Sequence, residues 1–161
     1  MIEIEKTFLV KNIPANLSSY KSIKIKQGYL SSSHPALRIR QIGEKFELTK
    51  KIPLKENDWS STEEINIPLT QSEFDKLWPL TEKSLGKTRY LIPIENNLIA
   101  ELDIFEGGLK GLAFVEVEFS SEKDMNLFKK PDWFGQDITQ KDFAANVFLA
   151  GKTFFDIQPF L

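Results

Sequence analysis

The stretch Met1-Ile-Glu-Ile-Glu-Lys-Thr-Phe-Leu-Val10 opens with acidic and branched apolar residues in alternation, and that alternation limits what the chain can fold into. Successive side chains of a β-strand point to opposite faces. Glu3, Glu5 and Thr7 therefore share one face, and Ile2, Ile4, Lys6 and Phe8 the other. The apolar face must be buried. The acidic face must meet water or line a space that favours negative charge.

The same parity recurs down the chain. Arg38 and Arg40 share a face, as do Thr49 and Lys51, Thr62, Glu64 and Asn66, Lys87 and Arg89, Glu101 and Asp103, and Glu116 and Glu118. Taken one strand at a time, such charges read as a solvated sheet face whose ion pairs are worth about 0–1 kcal/mol each. Taken together they read differently. A solvated face mixes Thr, Ser, Gln and Lys, whereas here some strands carry only acid pairs and one carries only an arginine pair. Forked guanidinium groups suit bidentate contacts to phosphate oxygens. Paired carboxylates suit Mg²⁺ or Mn²⁺, hard cations that share their remaining positions with phosphate and water. Cations for the anion and acids for the metal make a polyphosphate site. Closing the sheet into a barrel would put these charges in a lumen, where they need one another or a ligand.

Composition narrows the remaining choices. The 161 residues suit one domain, with 41% apolar and 27% charged residues. A formal net charge of −2 gives no global pull toward nucleic acid or anionic membrane. With no cysteine, thiolate metal sites and a cysteine nucleophile are excluded. His34, the single histidine, stands in the serine-rich turn Ser31-Ser-Ser-His-Pro35 and offers a poor basis for a nucleophilic triad. No apolar run reaches the roughly 20 residues of a membrane span, and no signal-like N-terminus precedes the first strand, so a cytoplasmic protein is expected.

In chain order the pattern predicts strands over 1–10, 22–30, 36–42, 45–52, 62–67, 84–94, 98–105 and 113–119. Pro53 to Ser60 reads as a polar connection, and Pro68 as the end of the fifth strand. Thr70-Gln-Ser-Glu73 is a capping box, with Phe74, Leu77 and Trp78 at helical spacing, so a short helix is expected over 71–80. Residues 121–129 read as helical, 131–137 as an aromatic loop, and Thr139-Gln-Lys-Asp142 as the start of a C-terminal helix through about Lys152. Asn146 on that helix is expected to tie it to the barrel. Trp59, Trp78 and Trp133 read as packing or loop anchors. The fold class is α+β: an eight-stranded antiparallel β-barrel with a few flanking helices.

Several ordered motifs make the resemblance to a known family specific. They are Glu3-Ile-Glu5-Lys-Thr-Phe-Leu-Val10, Gln27-Gly-Tyr-Leu30, Leu37-Arg-Ile-Arg40, Leu48-Thr-Lys-Lys51, Lys87-Thr-Arg-Tyr90, Glu101-Leu-Asp-Ile-Phe105 and Val115-Glu-Val-Glu118, with Pro131-Asp-Trp-Phe-Gly135 and Asn146 near the end. The chain resembles the CYTH, or triphosphate tunnel metalloenzyme, superfamily over essentially its whole length, in its short bacterial form. The resemblance implies a tunnel that binds a triphosphate with Mg²⁺ or Mn²⁺. By position, Arg38, Arg40, Lys51, Lys87 and Arg89 look like phosphate binders. Glu3, Glu5, Glu116 and Glu118 look like metal ligands or holders of metal-bound water, with Glu64, Glu101 and Asp103 as further tunnel acids. Lys51 and Tyr29 occupy the places of a Lys–Tyr pair that tunes hydrolysis in the small triphosphatases. One departure stands out: the first motif of the family is usually Glu-x-Glu-x-Lys, and position 7 here is Thr7. Lys6 cannot replace that lysine, because it lies on the opposite face. The expected activity is metal-dependent hydrolysis of tripolyphosphate or a small triphosphorylated compound, by a monomer or homodimer. Adenylyl cyclase chemistry and a non-catalytic polyphosphate- or nucleotide-binding module are the alternatives.

Overall fold

The computed structural model describes residues 1–33 and 35–161, so the reading of His34 lies outside the described residues. Strands β1 (Ile2–Val10), β2 (Lys21–Ser31), β3 (Leu37–Ile42), β4 (Lys45–Lys55), β5 (Asp58–Leu69), β6 (Lys83–Pro93), β7 (Ile99–Phe105) and β8 (Ala113–Glu118) form one antiparallel sheet. Its order is β5-β4-β3-β2-β6-β7-β8-β1, and β1 pairs with β5 to close it into a barrel. The seam is β1 itself. Its first residues pair with β5 (Ile2 opposite Glu63, Ile4 opposite Ser61), and its middle pairs with β8 (Glu5 opposite Glu118, Thr7 opposite Glu116). Closure removes the sheet edges and turns one parity of every strand into a lumen wall.

The outward parity of β1, β6, β7 and β8 is apolar and is covered. Phe8, Ile92, Ala100, Leu102, Val115 and Val117 pack beneath Phe119, Phe128 and Phe134. A ninth strand, β9 (Phe134–Asp137), contributes to this cover by pairing with the end of β1. The aromatic loop expected over 131–137 thus ends in a strand. Lys6, on the outward face of β1, pairs with Asp137 at 3.3 Å.

A second core plugs one end of the barrel. Tyr29, Leu85, Phe105 and Phe114 line that end, and Phe143, Leu149 and Ile157 from the C-terminal segment pack on them. Phe105 and Phe114 meet edge to face at 5.6 Å, and Phe143 lies 6.4 Å from Phe114.

Helix α1 (Gln71–Leu77) begins at the expected capping box. The Glu73 N–H donates to Thr70 Oγ1, and the Thr70 N–H donates to Glu73 Oε2 at 2.7 Å. Helix α2 (Glu122–Leu127) is as expected, shorter by its fringes. Pro68 does not end the fifth strand, since it pairs with Glu47 and β5 runs on to Leu69. Two further expectations fail. Residues 53–60 are not a loose connection: β4 runs to Lys55 and β5 starts at Asp58, joined by a turn in which Asn57 takes a positive φ of 59°. The long C-terminal helix is also absent. A 3₁₀ turn at Asp142–Ala144 and a single turn, α3 (Asn146–Leu149), make a strap across the barrel end, followed by α4 (Phe154–Ile157). The Thr139 hydroxyl caps no helix. It donates to Asp137 at 2.6 Å and accepts the Thr7 N–H at 3.1 Å.

Candidate functional site

The barrel encloses a cavity of about 450 Å³, in the range of small-molecule sites. Its wall includes Glu3, Glu5, Tyr29, Arg38, Arg40, Lys51, Glu64, Lys87, Arg89, Glu116 and Glu118. Residues far apart in sequence but of one parity therefore meet in one space. Glu101 and Asp103 stand just behind, as partners of Arg89 and Lys87.

Every cation deep in this lumen is held by acids. Arg38 and Arg40 on β3 share Glu64 of β5, at 3.3 and 3.1 Å, and Arg40 also binds Glu47 of β4 at 2.5 Å. Lys51 lies between Glu5 at 2.5 Å and Glu3 at 3.2 Å. Lys87 binds Asp103 at 2.5 Å and donates to Asn146 Oδ1 at 3.3 Å. Arg89 binds Asp103 through two nitrogens, Glu116 at 2.5 Å, and Glu101. The pairing is incomplete at one atom. Arg38 is 8% exposed, and its Nε has no partner. The Thr62 hydroxyl is buried without a partner as well.

These contacts set the protonation states. Burial pushes Glu64 up, but Arg38 and Arg40 outweigh it and hold the carboxyl at about 2. Burial likewise opposes the charge on Asp103 and loses to Lys87 and Arg89, so its pKa falls. Lys51 is disfavoured by burial, yet Glu5 and Glu3 raise it well above the ordinary lysine range. Burial wins at Glu3 and at Glu101, whose pKa values rise despite Lys51 and Arg89. At Glu118 burial, then Glu101, Glu3 and Glu5, push the carboxyl up to about 7. The acids at that end of the lumen are short of positive charge.

Tyr29 and Lys51 have separate partners. The Tyr29 hydroxyl accepts from Gln27 Nε2 at 2.9 Å, and burial raises its pKa, an effect that the adjacent Arg38 partly offsets. Thr7 lines the cavity opposite Glu116, where its hydroxyl brings no charge. Among the described residues no three carboxylates converge closely enough to form a metal cage. The cause is visible in the pairing: Glu3 and Glu5 are drawn to Lys51, and Glu116 to Arg89. The donor set itself fits a hard divalent cation, being all oxygen and under-neutralised around Glu118.

Sequence reasoning missed part of the lining. Glu47, which does not line the cavity but holds Arg40, shares the parity of Thr49 and Lys51 and could have been found by it. Gln27 sits two positions from Tyr29 on the same face. Trp59, Lys83, Lys141 and Lys152 also line the cavity. The strap lysines lie outside any strand, so no period marks them. Asn146 does tie its segment to the barrel, through Lys87.

A family model for the CYTH domain matches residues 1–141, most of the chain. The chain belongs to the CYTH family. An inorganic triphosphatase of Nitrosomonas europaea is 37% identical over 153 residues, covering 93% of this chain and 97% of its own. An inorganic triphosphatase of Acetivibrio thermocellus is 34% identical over 140 residues, covering 85% of each. The crystal structure of an inorganic triphosphatase superposes with a TM-score of 0.68 at 34% identity, covering 92% of this chain and 93% of that one. The closed antiparallel barrel is thus the fold of a CYTH triphosphatase.

Proposed function

We propose that this CYTH protein is a metal-dependent triphosphatase that hydrolyses tripolyphosphate or a small triphosphorylated compound inside its barrel. The observation that carries the reading is the arginine pair of β3. Arg38 and Arg40 are two largely buried guanidinium groups that share one carboxylate, and Arg38 Nε is left without an acceptor. A buried donor without a partner costs about 1–3 kcal/mol, and a phosphate oxygen removes that cost. The triphosphatase relatives support the same reading.

Binding is then an exchange of partners. Arg38, Arg40, Lys51, Lys87 and Arg89 turn from carboxylates to phosphate oxygens. Glu3, Glu5 and Glu116, freed from Lys51 and Arg89, join Glu118 as the residues that would hold Mg²⁺ or Mn²⁺. A bound divalent ion supplies charge neutralisation and a more acidic water. Lys51 enters this exchange protonated, its charge stabilised by Glu5 and Glu3, and phosphate oxygens then replace those carboxylates, so it serves as a cation rather than as a base. Tyr29 also stays protonated. With Gln27 donating to its oxygen, its own O–H is available to donate to a phosphate oxygen. Positioning and charge neutralisation supply most of the rate in phosphoryl transfer.

The deciding experiment is phosphate release from tripolyphosphate with Mg²⁺, with Mn²⁺ and with chelator, alongside ATP. Metal-dependent release that falls at least about 100-fold in Lys51→Ala is expected. Cyclic AMP from ATP would favour the cyclase reading. Tight anion binding without turnover would make the chain a binding module.

A further inference from the structure

Charge is distributed unevenly along the lumen. Register gives the direction: away from the strap, the inward positions run from Phe105 through Asp103 to Glu101 and from Phe114 through Glu116 to Glu118. The far end is therefore acidic. The strap end is basic.

Three lysines make it so. Lys83, Lys141 and Lys152 line the same cavity as the paired cations, yet among the described residues none of them has an ion pair. The backbone brings two of them together: the Gly151 N–H donates to the Ser84 carbonyl at 3.1 Å, beside Lys152 and Lys83. Burial and then the charge of Lys152 lower the pKa of Lys83. Glu82 lies next in sequence to Lys83, but its carboxylate accepts from the Ser32 hydroxyl at 2.6 Å. Among the described residues, Asp142 is the one acid that the strap adds to the cavity wall. Lys152 is fixed in place, donating to the Phe148 carbonyl at 2.6 Å with its ammonium 4.0 Å from the Phe148 ring. Lys141 is anchored by its own N–H to the Ile138 carbonyl at 2.9 Å, and the Ile138 N–H in turn donates to Thr7 at 2.8 Å.

We propose that Lys83, Lys141 and Lys152 form an anion subsite beyond the triphosphate-binding cations, which takes an additional phosphate group of a linear polyphosphate longer than tripolyphosphate. The subsite rests on the triphosphatase reading and adds to it a preference. It is continuous with the inner site, since Asn146 of the strap accepts a hydrogen bond from Lys87. Three ammonium groups with no ion pair among the described residues, and with Glu82 and Asp156 acting on Lys83 and Lys152 only at longer range, favour an anionic extension of the chain. They disfavour a neutral nucleoside or a cationic organic substituent at the same place. Their attraction is partly screened, so salt weakens it.

The test is calorimetric binding of tripolyphosphate, tetrapolyphosphate and orthophosphate to the full chain. Chelator is present, so that turnover does not interfere. The native protein is expected to bind tetrapolyphosphate about tenfold tighter than tripolyphosphate, with a steeper loss of affinity on adding salt. In Lys83→Gln/Lys141→Gln/Lys152→Gln the ratio should collapse toward one. Lys141→Gln/Lys152→Gln, which spares the strand residue Lys83, should reduce it by an intermediate amount. Circular dichroism checks that both variants fold. Equal affinity for the two chains in the native protein overturns the subsite, and so does a ratio that the substitutions leave unchanged. Orthophosphate binding alongside saturating tripolyphosphate, lost in the triple variant, would assign the lysines to released phosphate and also overturn it. A chain that releases no phosphate with metal would sink the triphosphatase reading while leaving this binding ratio readable.

Discussion

Glu64 and Glu118 face the same lumen and titrate in opposite senses. Arg38 and Arg40 overcome burial and hold Glu64 at about 2, below its ordinary 4.5. A depressed carboxyl stabilises the fold above its unfolded pKa and loses that contribution as pH falls toward the folded value. Glu64→Gln is therefore expected to cost up to about 3 kcal/mol at pH 7, a difference that shrinks between pH 4.5 and 2. Urea denaturation across that range measures it. Glu118 behaves in reverse. Burial and its acidic neighbours raise it from 4.5 to about 7, so the folded chain keeps a proton that the unfolded chain has lost. Its destabilising charge grows through pH 4.5 to 7 and is fully present above. Glu118→Gln should raise the Tm at pH 8 and leave it unchanged at pH 4, by a small amount because the side chain meets solvent. Added Mn²⁺ or Mg²⁺ should stabilise the native protein at pH 8 and the Glu118→Gln variant less, if the ionised carboxylate is a metal ligand.

Several elements depend on single positions. Gly28 in β2 faces the α1 connection so closely that a Cβ would lie 2.6 Å from Thr81 Cγ2 and 3.0 Å from the Trp78 ring. Gly28→Ala is expected to lose about 1–3 kcal/mol, read as a lower Tm, by forcing that connection off the sheet. The β4–β5 hairpin illustrates how a neighbour decides what a proline does. Pro53 and Pro68 read as strand breakers in sequence. Yet β4 pairs with β3 only up to Lys50, and β5 pairs with β1 only at Ser61 to Glu63. Each proline thus has a partner strand on one side only, so its missing N–H need cost no ladder bond. The strap shows the converse. Phe143, Val147 and Phe148 are spaced as on a helix face, but Phe143 packs into the barrel end, and the Thr139 hydroxyl that would begin the helix is taken by Asp137 and the Thr7 backbone. Docking on the barrel outweighs the modest helix propensity of these residues.

At the scale of the whole molecule, the barrel carries its charges as internal pairs, which under the proposed function a polyanion and its metal would take over. Tripolyphosphate with Mg²⁺ should therefore raise the Tm, by an amount corresponding to about 2.7 kcal/mol at a ligand concentration 100 times Kd. A thermal shift measured with and without chelator tests it. No described helix is long and apolar enough to cross a membrane. The antiparallel barrel and the parity of its lumen were legible in the sequence, because a period of two leaves no choice of face once one face must be buried. Glu3, Glu5, Arg38, Arg40, Lys51, Glu64, Lys87, Arg89, Glu116 and Glu118 all reach the cavity for that reason. Which acid binds which cation was not legible. Pairing Lys51 with Glu5 spans 46 positions and Arg38 with Glu64 spans 26, and only the closure of β1 onto β5 and the register of β3, β4 and β5 bring those groups together. Nor could the sequence place Lys141 and Lys152, since a strap follows the surface that it covers rather than a period of its own; Lys83, at the start of β6, shares the parity of Lys87 and Arg89. Local alternation determines the face of a residue; its partner across the lumen is set by tertiary closure, because ion pairs form between whichever charges the register brings within reach.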